Sequence, residues 1–209
     1  MPDSNESKDN QPVSIPKRRP IRLLSVISIM SSSLIFACAG CCYLTVFLFG
    51  PLRVDGPEQT NQLASRITDW TLPADFSGKS GSRMKNALFR FDIAMFKQKQ
   101  GRGTLVVAEF YSKVLPAPDR VKGTMDFMRQ NTPELKKIDV EERKFLTLTV
   151  RDLPAKFELS HGEDRASTTK YHQVIGNFRG KSDDAALILQ YEDGVLTDKD
   201  IDDFLKSIK

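Results

Sequence analysis

Apolar and polar positions alternate with a period of two through much of the chain. Phe89, Phe91, Ile93 and Met95 are set against Arg90 and Asp92, the spacing of a half-buried strand. The turn "KQGRG" follows, and "TLVVAEFY" is the partner strand of a hairpin. Period two returns in "ERKFLTLTV", "AKFELSH", "KYHQVIGNF" and "AALILQY", separated by the turns or loops "RDLP", "GEDRASTT" and "RGKSDD". Helical spacing occurs twice. Val121, Met125 and Met128 predict a helix beginning near Pro118 or Asp119, weakened by Gly123. Ile201, Phe204, Leu205 and Ile208 predict a terminal helix, with Thr197 and Asp200 as its capping pair. Upstream, "RITDWTLP" reads as a short strand ended by Pro73, and "FSGKSGSR" as a loop by its glycines and serines.

Several of these strands carry apolar residues on both faces. In "AALILQY", Leu187 and Leu189 point one way and Ile188 the other. Such a sheet needs cover on both sides. The short connections make most neighbouring strands antiparallel. The expected fold class is α+β, a mainly antiparallel sheet flanked by helices over residues 66–209, preceded by one transmembrane helix.

That helix is the uncharged run from Leu23 to Leu52. At about 1.5 Å per residue it is longer than the ~30 Å hydrocarbon layer requires. Lys17, Arg18, Arg19 and Arg22 flank one end and only Arg53 the other. The more basic flank stays cytoplasmic, which places the C-terminal part outside the plasma (inner) membrane. Residues 1–22 are then a polar, disordered cytoplasmic tail, and 53–65 a polar linker. Ala37-Cys38-Ala39 has the look of a signal cleavage site, and Ile35-Phe36-Ala37-Cys38 faintly that of a lipidation box. The chain continues with another apolar half-span, "GCCYLTVFLFG", so a retained anchor is expected. Ser33, Ala37 and Cys41 form a stripe of small residues through which two spans could self-associate.

The order "DWTLP", the hairpin turn "KQGRG", one helix, "VIGNFRGKSDDAALILQY" and a terminal "FLKSIK" resembles the PsbP-like α/β/α sandwich. It is also similar to membrane-anchored or secreted bacterial domains of about this length. The resemblance implies a binding or assembly-accessory role and brings no reactive residue with it.

Composition narrows the chemistry. The net charge of +4 in 209 residues is dispersed, unlike the concentrated basic face of a nucleic-acid binder. The three cysteines, Cys38, Cys41 and Cys42, all lie in the apolar run, so the folded part has no thiol for catalysis, metal or disulfides. His161 and His172 are the only histidines and fall at the ends of adjacent strands, with Glu163 nearby; two imidazoles and a carboxylate are a possible zinc set. The bland alternative is polar residues at a hairpin tip. Asp198, Asp200, Asp202 and Asp203 lack the glycine and glutamate of a calcium loop and read better as helix capping. No G-x-S-x-G motif occurs, and neither Lys-Ser pair has phosphate-loop glycine spacing. Trp70 and the phenylalanines Phe89, Phe91 and Phe96 read as core. The expectation is therefore a membrane-anchored, non-catalytic extracytoplasmic domain with no cofactor, which binds a protein or envelope partner. The alternatives are a hydrolase with a histidine base and an adaptor that assembles a membrane complex.

Overall fold

A computed structural model describes residues 52–209. The apolar run up to residue 51 and the stripe Ser33, Ala37 and Cys41 lie outside the described residues. Among the described residues no helix is long and apolar enough to cross a membrane.

The chain folds as β1 (Leu52–Asp55), α1 (Pro57–Ile67), β2 (Phe76–Lys85), β3 (Phe89–Gln98), β4 (Gly103–Ser112), α2 (Ala117–Asn131), β5 (Ile138–Val150), β6 (Leu153–Asp164), β7 (Lys170–Arg179), β8 (Asp184–Glu192) and α3 (Asp198–Ser207). The strands form one eight-stranded sheet in the order β1-β2-β3-β4-β8-β7-β6-β5. Every neighbouring pair is antiparallel. Two meanders thus meet at one central seam, β4 against β8. The α+β class and its antiparallel sheet are as the residue pattern indicates.

The seam explains the apolar runs. Leu105 and Val107 of β4 and Leu187 and Leu189 of β8 pack on one face beneath α1 and α3. Val106, Ala108, Ala186 and Ile188 pack on the other beneath Met125 and Met128 of α2. Each of these large aliphatics is fully buried, which stabilises the fold by roughly 1.5–3 kcal/mol apiece relative to exposure. Trp70 belongs to the first cluster, edge-on to Phe96 at 5.6 Å and tilted against Phe204 at 5.7 Å.

Three expectations are corrected. Residues 53–65 are not a linker but hold most of β1 and α1, and Leu52 belongs to β1 rather than to the apolar span. "FSGKSGSR" is the body of β2, not a loop. Its glycines lie directly under α1: a Cβ on Gly78 would come within 2.7 Å of Thr60 Cβ, and one on Gly81 within 2.7 Å of a Leu63 methyl. Small residues here permit a helix to sit close on a strand. "RITDWTLP" is not a strand; Ile67 ends α1, and the segment after it is tied to the chain terminus. Thr68 Oγ1 donates to Lys209 O at 2.9 Å, and the Lys209 N–H donates to Asp69 O at 2.9 Å.

At the sheet end where β4 stops, charges are buried. Glu109, 1% exposed, accepts from the Ser182 and Asp183 backbone N–H groups at 2.9 Å each and from Arg90 Nη2 at 2.8 Å. This carboxylate therefore holds the β7–β8 turn onto β4. Its neighbour Asp92 is also buried, but lies 3.4 Å from Arg83 and 3.6 Å from Arg90 in less direct contacts. Burial pushes the Asp92 carboxyl above its usual range, with Arg90 partly opposing. The folded state therefore binds that proton more tightly, and stability falls as pH rises from about 3.9 through the raised native value. Glu109→Gln is expected to cost about 2–4 kcal/mol in urea unfolding, because Arg90 loses its buried counter-charge. Asp92→Asn is expected to stay within about 1 kcal/mol of the parent. Equal losses in the two variants would refute this division of roles.

Candidate functional site

A groove of about 490 Å³ opens on the α1/α3 face, between the first turns of α3 and strands β5 to β8. It lies at the sheet end that carries the β3–β4 and β6–β7 turns. Its floor is apolar, with Leu146, Leu159 and Val174 from the strands and Ile201 and Leu205 from α3. Its rim is polar: Glu142 and Lys144 on β5, the two histidines, Asp193 in the β8–α3 turn, and Asp198 and Asp202 on α3.

The histidines sit opposite one another. Register pairs Glu142 with His161, His161 with His172, and His172 with Tyr191, so one row runs across four strands. The imidazole centroids of His161 and His172 are 4.8 Å apart, and the His172 ring lies flat on Tyr191 at 5.2 Å with 10° between planes. Such stacking fixes a ring and leaves its edge nitrogens free for polar contact. Tyr191 is 4% exposed, and burial holds its phenol above the usual range, so it stays neutral.

The carboxylates that reach these rings are not the expected one. His172 Nε2 is 3.2 Å from Asp193 Oδ1, and His161 Nδ1 is 3.5 Å from Glu141 Oε2. Glu141 is the extra residue where the β5–β6 register shifts between Val140 and Glu142, and a bulge re-aims a side chain in this way. Asp193 is set by its own N–H, which donates to Lys170 O at 3.0 Å. Glu163 lies two residues beyond His161, paired in register with Asp139 and Lys170, and contacts neither histidine. The structure thus joins His161 and His172 and leaves Glu163 out. Among the described residues no three His, Cys, Asp or Glu side chains converge as a metal-holding group.

The aspartates of α3 serve the helix. Asp200 completes a capping box with Thr197, accepting from the Thr197 N–H at 2.8 Å. Asp202 pairs with Lys206 one turn on, and Asp203 with Lys199 one turn back. Asp198 is the groove-lining carboxylate with no such partner on its own helix. Ser160, next to His161, also borders the groove, and its hydroxyl donates to Gln173 O at 3.5 Å. Among the described residues no serine hydroxyl is bonded to either imidazole. Of the Gly180-Lys181-Ser182 turn, Lys181 Nζ donates to Asp69 at 2.6 Å and the Ser182 N–H to Glu109, so its polar groups serve the fold.

Glu141, Tyr191 and Asp193 are the site residues that pattern reading misses. The signal for Tyr191 was present: folding "KYHQVIGNF" onto "AALILQY" about the Gly180–Asp183 turn sets it opposite His172. A bulge carries no such mark.

No family model matches the chain, and no curated protein matches it. Among solved structures, the chain is similar to LpqN, described as involved in cell envelope biogenesis of Mycobacterium tuberculosis. The match has 10% sequence identity and a TM-score of 0.27, and covers 67% of this chain and 76% of that one. That likeness is too distant to bear on what this domain does.

The His172 contact is open to direct measurement. The hydrogen bond from His172 holds the Asp193 carboxyl below the usual carboxylate range; the charge of that ring, the Gly194 N–H and His161 add to the effect. A depressed value in the folded state means that the contact favours folding above about pH 3.9 and is lost as pH falls through the lower native value. A carboxyl-carbon NMR titration of Asp193 is expected to show a midpoint under about 3.9, moving up toward it in His172→Ala. An unchanged midpoint in that variant would refute the contact.

Proposed function

We propose that this chain is a single-pass plasma (inner) membrane protein that displays a non-catalytic binding domain on the extracytoplasmic side. Residues 1–22 would lie in the cytoplasm and residues 23 to about 51 in the bilayer. The charge asymmetry around the apolar run supports that orientation. The domain would take a cationic, partly apolar segment of a partner protein of the envelope into the groove.

The observation that carries this reading is the make-up of the groove. Carboxylates of Glu142, Asp193, Asp198 and Asp202 stand around an apolar floor; Lys144, His172 and Lys206 engage three of them, and Asp198 has no ion-pair partner among the described residues. Such a lining suits alternating lysine and aliphatic side chains. Hydrolysis by a histidine base would need a nucleophile within hydrogen-bond reach of an imidazole. The nearest serine in sequence, Ser160, gives its hydroxyl to Gln173 O rather than to an imidazole.

Two experiments test the proposal. Protease added to whole spheroplasts is expected to digest the domain; an untouched C-terminal half would defeat the orientation. For the groove, the full chain in nanodiscs is titrated calorimetrically with a short peptide alternating lysine and leucine. Binding is expected to weaken roughly fivefold or more in Asp198→Asn, on the order of 1 kcal/mol. Equal binding of the matching glutamate–leucine peptide would sink the reading.

A further inference from the structure

The sheet end opposite the groove carries an unusual surface. The β2–β3 turn exposes Leu88 at 59%, and the segment after β4 exposes Val114 at 72% and Leu115 at 44%. The two loops are adjacent, because the Lys113 N–H donates to Leu88 O at 3.0 Å. Isolated exposed apolar side chains are ordinary, but three gathered on neighbouring loop tips mark a contact surface.

Much of the backbone of these loops is paired from within. The N–H groups of Val114 and Leu115 donate to Ser112 Oγ at 3.1 and 3.2 Å. Arg120 Nη1 donates to Leu115 O at 2.9 Å, and the Leu88 N–H to Asn86 Oδ1 at 2.9 Å. A loop costs less to move toward a less polar medium the more of its backbone groups are already paired. Exposed Lys85 and Lys113 flank the tips, as cations do where a protein meets anionic headgroups.

Connectivity names the occupant. β1 runs from Leu52, paired with Arg83 near the end of β2, toward Asp55, paired with Ser80. The chain therefore enters the domain from the tip end, and what precedes Leu52 is the uncharged apolar run.

We propose that Leu88, Val114 and Leu115 form a membrane-contact tip that rests in the outer interface of the bilayer and turns the groove away from it. This rests on the anchored reading above. The test uses the full chain in vesicles of phosphatidylethanolamine and phosphatidylglycerol with brominated acyl chains, which quench nearby tryptophan. Leu88→Trp is compared with Lys170→Trp at the opposite sheet end, each after subtraction of the parent Trp70 signal. The tryptophan of Leu88→Trp is expected to lose about half its emission and that of Lys170→Trp little, since interfacial side chains sit only about 5–10 Å deep. Val114→Trp gives the same readout should Leu88→Trp fold poorly. Absent quenching at the tip, or equal quenching at both ends, overturns the proposal, as does self-association that shields the tip from lipid. Carbonate washing of the same vesicles reports the anchor separately: a retained chain with an unquenched tip defeats the tip alone, and a released chain defeats the anchored reading.

Discussion

Pairing of β4 with β8 is the joint on which the domain depends. Each strand is the last of its own meander, and nothing else in the sheet connects the two halves. Both strands are apolar on both sides, which only a covered centre tolerates. Once they pair, one face presents Leu105, Val107, Leu187 and Leu189 to α1 and α3, and the other presents Val106 and Ile188 to α2. The three helices are therefore consequences of the joint as much as supports for it. Glu109 adds a polar lock at one end of it by holding the β7–β8 turn against β4.

The same joint positions the groove. Tyr191 is the last of the run of buried residues in β8, and its ring is the surface on which His172 stacks. His161 then meets His172 across β6 and β7. The capping box at Thr197 fixes where α3 begins and hence where Asp198 and Asp202 stand on the groove wall. The polar row is thus an extension of the hydrophobic order of the sheet, with two non-local carboxylates brought to its rings by a bulge and a turn.

How far the pattern of residues foretells this differs by element. Six strands from β3 onward and the two later helices follow from their periods, because each buries one stripe or two faces in a regular way. The first helix is missed because its buried face is narrow: Leu63, Ala64 and Ile67 are joined by Thr60, which no apolar count includes. β2 is missed because Gly78 and Gly81 answer to the closeness of α1, a tertiary demand that composition presents as a loop. In the site, the pairing of His161 with His172 follows from a hairpin between sequence neighbours. The replacement of Glu163 by Glu141 and Asp193 does not, since neither a register shift nor a turn two strands away leaves a local trace.

The separation of β4 from β8 along the chain also bears on how the protein is made. Gly103 pairs with Tyr191, so a ribosome must finish α2, three intervening strands and β8 itself before the centre of the sheet can close. Until then β4 stands as an open edge rich in valine and leucine, the kind of surface that invites wrong partners. Closure of so distant a pair is intrinsically slow. Chains that stop short of Asp184 lack β8 and leave that edge of β4 bare.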